Sequence, residues 1–394
     1  MPDRSDPPEY DWLYGKDKSA QKSAQEPAQE PAQESAQDPE PTRVMPRTPR
    51  STQPASPQGP GPIAPTPGQA SRRKRRVPYG KLVLLLLVAW IVFLVAVPIF
   101  AWKRIDTVNA LPGGDRPAEQ DGTTYLLVGS DSRKGLTKAE NRRLGTGGVG
   151  DVGQRTDTIM LLHTGDGPSL LLSIPRDSIV PIPGRGTTKI NSAFAFGGPK
   201  LLVRTIEQNT GIRIDHYVEI GFGGFVNSVD AVGGIEICPE KRMVDRRANL
   251  NIKKGCQHVD GVTALGYARS RHTSGIGDID RAKHQREVVS AIGAEVKSPW
   301  TVLNPFRYYR INQAGTSSLK VDKDSGPIDL ARFAWAMTRV NGEVGLTCSV
   351  PIRDLAVNWD TDRALALFKL IKDDRTGDIP KRLCQPTGID GVNG

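Results

Sequence analysis

Apolar and polar positions divide the chain into three stretches of different character. Residues 1–71 hold little that could form a core: Gln, Glu, Pro, Ser and Ala dominate, and 23–41 repeats an Ala-Gln-Glu-Pro theme. Such a stretch cannot bury enough apolar surface to offset its ordering entropy, so it reads as a disordered tail, with a Pro-rich ligand for an unidentified partner as the alternative. Residues 82–102 form an uninterrupted apolar run without a charge, which is the length that spans a bilayer core. Beyond it, 103–122 is a Gly/Pro-rich linker, and from 123 to 385 short hydrophobic runs alternate with amphipathic stretches. The last residues, 386–394, read as a flexible C-terminus.

Within 123–385 the spacing predicts buried strands at 124–129, 157–163 and 169–175, each an apolar run bounded by Gly, Asp or Pro. Further strands are expected at 216–221 and 234–238. Pro199 and Gly211 suit the start and stop of a helix, and others fit 225–232, 260–269, 328–340 and 362–373. Strands and helices interleave, so the domain is α/β and layered.

Composition changes the picture in two places. The 394 residues carry a formal net charge of +10, which favours a polyanion, an anionic membrane or a phosphorylated substrate as partner. Part of that charge is the run Arg72–Arg76, in a basic juxtamembrane segment (72–81), which by the positive-inside rule keeps the tail in the cytoplasm and sends the bulk of the chain outside. The four cysteines (Cys238, Cys256, Cys348, Cys384) all follow the membrane run, as disulfides in an extracytoplasmic domain would. Pairing chain neighbours, Cys238–Cys256 and Cys348–Cys384, closes the shortest loops. A zinc site is the competing reading, but no Cys-x-x-Cys spacing supports it.

Candidate chemistry gathers at the strand ends. Asp131 with Arg133, Arg155 with Asp157, and Arg176 with Asp177 each stand at one end of one of the first three strands. Arg269-Ser270-Arg271-His272 repeats the pattern, followed by Asp278, Asp280, Arg281 and Gln285. On an extended segment Arg269 and Arg271 would point the same way. Guanidinium forks match phosphate oxygens, and hard carboxylate oxygens suit magnesium, or manganese in its place. Structural ion pairs explain any one such cluster, but isolated surface pairs are worth too little to recur four times. No nucleophile elbow or Walker loop is present. Gly148-Val149-Gly150-Asp151-Val152-Gly153 has dinucleotide-loop spacing but precedes a strand, so it reads as a flexible loop.

These residues, in order, resemble the LytR–CpsA–Psr (LCP) family: Leu127-Val128-Gly129-Ser130-Asp131-Ser132-Arg133, Arg155-Thr156-Asp157-Thr158, Ser173-Ile174-Pro175-Arg176-Asp177, Lys189-Ile190-Asn191-Ser192-Ala193-Phe194, 215–234, and Tyr267-Ala268-Arg269-Ser270-Arg271-His272 with Arg281 and Gln285. The resemblance implies a three-layer domain with a central mixed or mostly antiparallel sheet flanked by helices, and an apolar tunnel for a lipid. It implies a phosphotransferase that moves a lipid-linked glycopolymer from polyprenyl pyrophosphate to the 6-hydroxyl of peptidoglycan muramic acid. Carried over by position, Arg155, Arg176, Arg269 and Arg271 bind the pyrophosphate, with Lys189 and Arg133 beside them. Asn191, Arg281 and Gln285 complete the polar site, and Asp131 and Asp157 hold magnesium, one of them also taking the acceptor's proton. The chain departs from the family pattern at His284, where many members have Arg, at Asp280, often Gly, and in a longer loop at 134–153. Two other functions remain: hydrolysis of polyprenyl pyrophosphates at the same site, and a non-enzymatic membrane-bound regulator of cell-envelope genes. The regulator would need a nucleic-acid module before the membrane run, where no periodic apolar pattern exists, so no nucleic acid is expected as a partner.

Overall fold

The computed structural model describes residues 79–131, 137–144, 156–270, 278–340 and 345–390, with 140 and 278–280 as backbone alone. The charge-free run lies within α1 (Tyr79–Trp102), the one helix among the described residues that is long and apolar enough to cross a membrane. The sheet that organises the rest contains β2 (Thr123–Ser130), β3 (Thr156–Thr164), β4 (Ser169–Ser173) and β7 (His216–Gly221) at its centre. Its edges are β1 (Asp106–Val108), joined through β12 (Leu319–Asp322), and β13 (Gly345–Ser349). The order is β1-β12-β7-β2-β3-β4-β13. Pairing is parallel for β1·β12, β2·β7 and β4·β13 and antiparallel for the other neighbours, so the sheet is mixed, as expected.

The period-2 alternation of the central strands builds the layers. Leu126, Val128, Ile159, Leu161, Leu170 and Leu172 face one side, against Leu202, Val203 and Ile206 of α3 (Asn191–Thr210) and Leu367, Phe368 and Ile371 of α10 (Thr361–Lys372). Tyr125, Met160, Leu162 and Leu171 face the other. There they meet Ala336 of α9 (Pro327–Met337) and Val289 of α6 (Asp278–Val296). Pro199 begins the straight part of α3 after a kink at Gly197–Gly198, and Gly211 ends it in the left-handed conformation at φ 67°. A second, smaller core joins α4 (Phe222–Ala231), α5 (Gly261–Arg269) and α6 to two hairpins, β8 (Ile235–Ile237) with β11 (Gln257–Val259), and β9 (Met243–Asp245) with β10 (Leu250–Ile252). Cys238 is bonded to Cys256 across the first of these hairpins, and Cys348 of β13 to Cys384.

Three sequence expectations need correction, and one pair of helices went unread. Residues 103–122 are not a free linker, because β1 completes the sheet edge, Asp322 accepts from the Ala110 N–H at 2.9 Å, and Arg116 pairs with Glu207. The domain does not stop at 385 either: Thr387 is buried, the Gly388 carbonyl accepts from Ile352 N–H at 2.9 Å, and the Pro386 carbonyl accepts from Arg286. Arg269 is the last residue of α5, not part of an extended segment; the chain turns extended only at Ser270. Finally, α6 and α8 (Pro305–Ser318) carry no clean apolar stripe in sequence, yet both are helical.

Candidate functional site

The site forms where β2 ends and β3 begins. Ser130 pairs with Thr156 and Gly129 with Thr158, so Asp157 is the extra residue of a β-bulge, a device that re-aims a side chain at the end of a ladder. Thr156 Oγ1 closes the bulge by donating to the carbonyls of Gly129 at 3.1 Å and Thr158 at 2.8 Å. A Cβ on Gly129 would lie 2.8 Å from Thr158 Cβ, so only glycine allows this approach.

Asp157 is the hub. Arg176, just after β4, donates from Nη1 to Asp157 Oδ1 at 2.5 Å, and Arg281 Nη1 stands 3.8 Å from the same oxygen. Arg281 and Gln285 lie one turn apart on α6 and both are buried on one face. Arg176 also approaches Asp177 at 3.4 Å, and Asp177 pairs with Lys189 at 2.8 Å. Lys189 ends β6 (Gly186–Lys189), the partner of β5 (Ile179–Ile182), and Asn191 opens α3 with its N–H on the Arg176 carbonyl at 3.2 Å. Local backbone bonding therefore ties the turn after β4 to the start of α3.

Two cavities meet this cluster. One, of about 270 Å³, is lined by apolar side chains of the sheet (Leu127, Met160, Val218) and of α4, α6, α8 and α9, and ends at Ser130, Asp157, Arg269 and Gln285. The second is polar, lined by Arg176, Asp177, Lys189, Asn191, Ser192 and Phe196. Arg176, Asp157, Arg281 and Gln285 line the narrow gap beside them. Arg269 is held at its mouth by a bond to the Leu144 carbonyl at 3.0 Å and by stacking 4.9 Å over the Phe222 ring. The arrangement offers an apolar channel and a cationic, hydrogen-bonding exit, which suits an amphiphile with an anionic head.

The structure thus brings together Asp157, Arg176, Lys189, Asn191, Arg269, Arg281 and Gln285. Asp131 directly follows β2, half-buried and next to the bulge. Arg133, Arg155, Arg271 and His272 lie outside the described residues, as do the side chains of Asp278 and Asp280. Asp131 and Asp157 are hard oxygen donors next to cationic side chains, a chemistry that suits magnesium, which commonly takes one or two carboxylates plus substrate phosphates. Among the described residues the one denser group of metal-type ligands is Glu236 with Cys238 and Cys256, whose sulfurs are joined to each other and so do not ligate. The donor set therefore fits an ion completed by substrate oxygens.

Sequence reasoning missed Glu219. It is buried on β7, accepting from Ser130 Oγ at 2.9 Å, Lys320 Nζ at 3.1 Å and Tyr217 Oη at 3.0 Å. Burial, with the Glu219 carboxylate beside it, pushes the Tyr217 phenol well above its ordinary value. The only signal was one acidic residue inside an otherwise apolar strand run. The His284 ring packs at a tilt against Tyr267, 4.3 Å between centroids, and burial, with Lys283 and Lys241 nearby, lowers its pKa to about 4. His163 is buried within β3, bonded to Thr124 at 2.9 Å and Asp374 at 3.0 Å.

Comparison with known proteins bears on this geometry. The LytR_cpsA_psr family model matches residues 103–354. A Corynebacterium glutamicum protein named as probable cell wall biosynthesis protein LcpB is 44% identical, over 79% of this chain and 78% of its own. A polyisoprenyl-teichoic acid–peptidoglycan teichoic acid transferase, TagU of Oceanobacillus iheyensis, is 31% identical over 60% of this chain and 75% of its own. Among solved structures, a LytR-Csp2A-Psr enzyme from Actinomyces oris shares the fold with a TM-score of 0.56 at 21% identity, covering 68% of this chain and 96% of that one.

Proposed function

The chain belongs to the LytR_cpsA_psr family, and from that premise we propose that it is a membrane-anchored phosphotransferase that moves a glycopolymer from polyprenyl pyrophosphate to the 6-hydroxyl of peptidoglycan muramic acid, releasing polyprenyl phosphate. The observation that carries this reading is the apolar cavity of about 270 Å³ that ends at Asp157, Arg269 and Gln285. An isoprenoid chain fits the one part and a pyrophosphate the other. The transferase activity for which TagU is named is of the same kind. The anchor is α1, with the tail on the cytoplasmic side and the site outside.

In this mechanism the chain mainly positions and neutralises, as phosphoryl transfer demands. Arg176 and Arg269, with Arg155 and Arg271, grip the pyrophosphate oxygens, and Arg281, Gln285, Lys189, Asn191 and Arg133 complete the grip. The apolar wall excludes water from the phosphorus next to the lipid, which strengthens each of these contacts. The sugar hydroxyl attacks the sugar-linked phosphorus, and its proton passes to a carboxylate, Asp157 or Asp131. Polyprenyl phosphate leaves toward the cavity, its new charge met by the guanidiniums. Magnesium, or manganese in its place, would be held by Asp131 and Asp157 and would supply further neutralisation of the phosphate oxygens.

Native mass spectrometry of the chain purified from a membrane tests the lipid half of this reading. A co-purifying polyprenyl phosphate or pyrophosphate is expected, and Leu127→Trp, which fills the cavity, should displace it. Wild-type chain that never carries such a lipid, even when offered it at micromolar concentration, would count against the assignment.

A further inference from the structure

The cavity's outer wall is made by helices that lean on α1. Tyr308 of α8 donates to the Leu94 carbonyl at 2.7 Å, and its ring lies 5.9 Å from that of Phe93. Further along α8, Gln313 accepts from Arg104, just past the end of α1, at 2.5 Å. The two helices therefore run in the same sense, with the start of α8 beside the middle of α1. Leu94 is eight residues before Trp102, or ~12 Å along the helix axis, and a hydrocarbon leaflet is about 15 Å deep.

At that level the surface is apolar where a water-facing surface would be polar. α7 (Pro299–Leu303) immediately precedes α8, and Trp300, Val302 and Leu303 on it are exposed, as are Phe306 (79%) and Tyr309 on α8. A third helix continues the patch, because α9 also touches α1 and leaves Ile328 and Trp335 exposed. The charges in this region are few: Lys297 precedes α7, and on α9 Arg332 is exposed 3.9 Å from Asp329. Arg307 pairs with Glu295 at 3.0 Å, and the long Arg310 side chain can snorkel to the interface. Ile311 and Gly315 of α8, and Phe333 and Met337 of α9, meanwhile line the apolar cavity on their inner sides.

We propose that α7 and the first two turns of α8 are sunk into the outer leaflet beside α1, so that the cavity wall made by α8 and α9 abuts lipid and the polyprenyl chain enters sideways from the bilayer. The inference rests on the reading of α1 as a membrane span and deepens the proposed function by assigning the substrate's route. An isoprenoid drawn from water would have to expose its whole apolar length, whereas a lateral route keeps it in hydrocarbon throughout.

The test uses the full chain in phosphatidylethanolamine and phosphatidylglycerol vesicles that contain a lipid with a photoactivated carbene source at mid-acyl depth. Adducts are mapped by mass spectrometry. Residues 299–309 should be labelled to the same order as the middle of α1, while peptides bearing Leu355 and Leu365, equally apolar and exposed but in other parts of the domain, stay at background. The double variant Leu303→Ser with Phe306→Ser should lose most of the label on 299–309 and keep it on α1. Label on α1 with background on 299–309 overturns this inference and leaves the anchor standing. Background on both overturns the anchor as well.

Discussion

Two arginine–carboxylate pairs in this domain share the same closest distance and have different surroundings. Arg116 meets Glu207 at 2.5 Å, and Arg176 meets Asp157 at 2.5 Å. Around Glu207 the bonding is closed: Ile214 N–H donates to its Oε1 at 3.0 Å, Arg116 Nε reaches both oxygens at 3.1 and 3.2 Å, and Arg116 Nη2 also serves the Ile214 carbonyl. That pair staples the segment after α1 to the end of α3. Asp157 instead stands on a bulge, with a second guanidinium 3.8 Å away, in the wall of both the apolar cavity and the narrow gap beside it. Residue type does not separate a staple from a site here; adjacency to a shaped cavity does.

Breaking each pair should therefore give different failures. Arg176→Ala or Arg269→Ala should lower transfer by roughly 10²–10³-fold, as loss of a preorganised charge-stabilising donor does. Its unfolding midpoint in urea should stay near that of the wild type. A variant with near-normal transfer would break the comparison on the catalytic side. Glu207→Ala should do the reverse, because it strands the nearly buried Arg116 charge. Its expected cost is ~3–5 kcal/mol of stability in chemical denaturation, with transfer per folded molecule unchanged.

A third, titrating group sharpens the same contrast. His284 is buried with Nδ1 lacking a hydrogen-bond partner, and its folded pKa is lowered to about 4 from 6.5. Since the unfolded chain takes up a proton that the folded chain refuses, stability is full above pH 6.5 and falls as the pH drops toward 4, by up to ~3 kcal/mol. His284→Phe keeps a ring packed against Tyr267 and should flatten that part of the stability–pH curve; an unchanged slope would remove His284 from the account. At the small end, Lys369→Ala breaks an exposed i,i+4 pair with Asp373 on α10. It should change neither transfer nor the unfolding midpoint beyond error.

The elements that could be read from sequence were those whose pattern is made by burial on both faces. β2, β3 and β4 are unbroken apolar runs because the sheet is covered on both sides. The straight part of α3 was legible from Pro199 and Gly211, and α5 from Val262, Leu265 and Ala268 on one face; the structure adds that Asp260 caps α5 by accepting from Thr263 N–H at 2.9 Å. By contrast α6 buries Arg281, His284, Gln285 and Arg286, so no apolar period marks it. β1 is held by main-chain bonds at a sheet edge, which need no apolar residues, and so 103–122 read as a linker. The strand-end residues Asp157 and Arg176 were legible because charged groups interrupt apolar runs there. Glu219 was not, because a single carboxylate in a strand announces nothing about the three donors that tertiary contact supplies.

The most direct measurement of the central claim is reconstitution of the full chain in vesicles with a polyprenyl-pyrophosphate-linked glycopolymer and peptidoglycan. The readout is muramidase digestion and mass spectrometry of the products. The account predicts muropeptides that carry the polymer through a phosphodiester on muramic acid, polyprenyl phosphate in equal amount, and loss of both with Arg176→Ala. Polymer released to solution with a terminal phosphate, and none on muramic acid, would identify a hydrolase and contradict it.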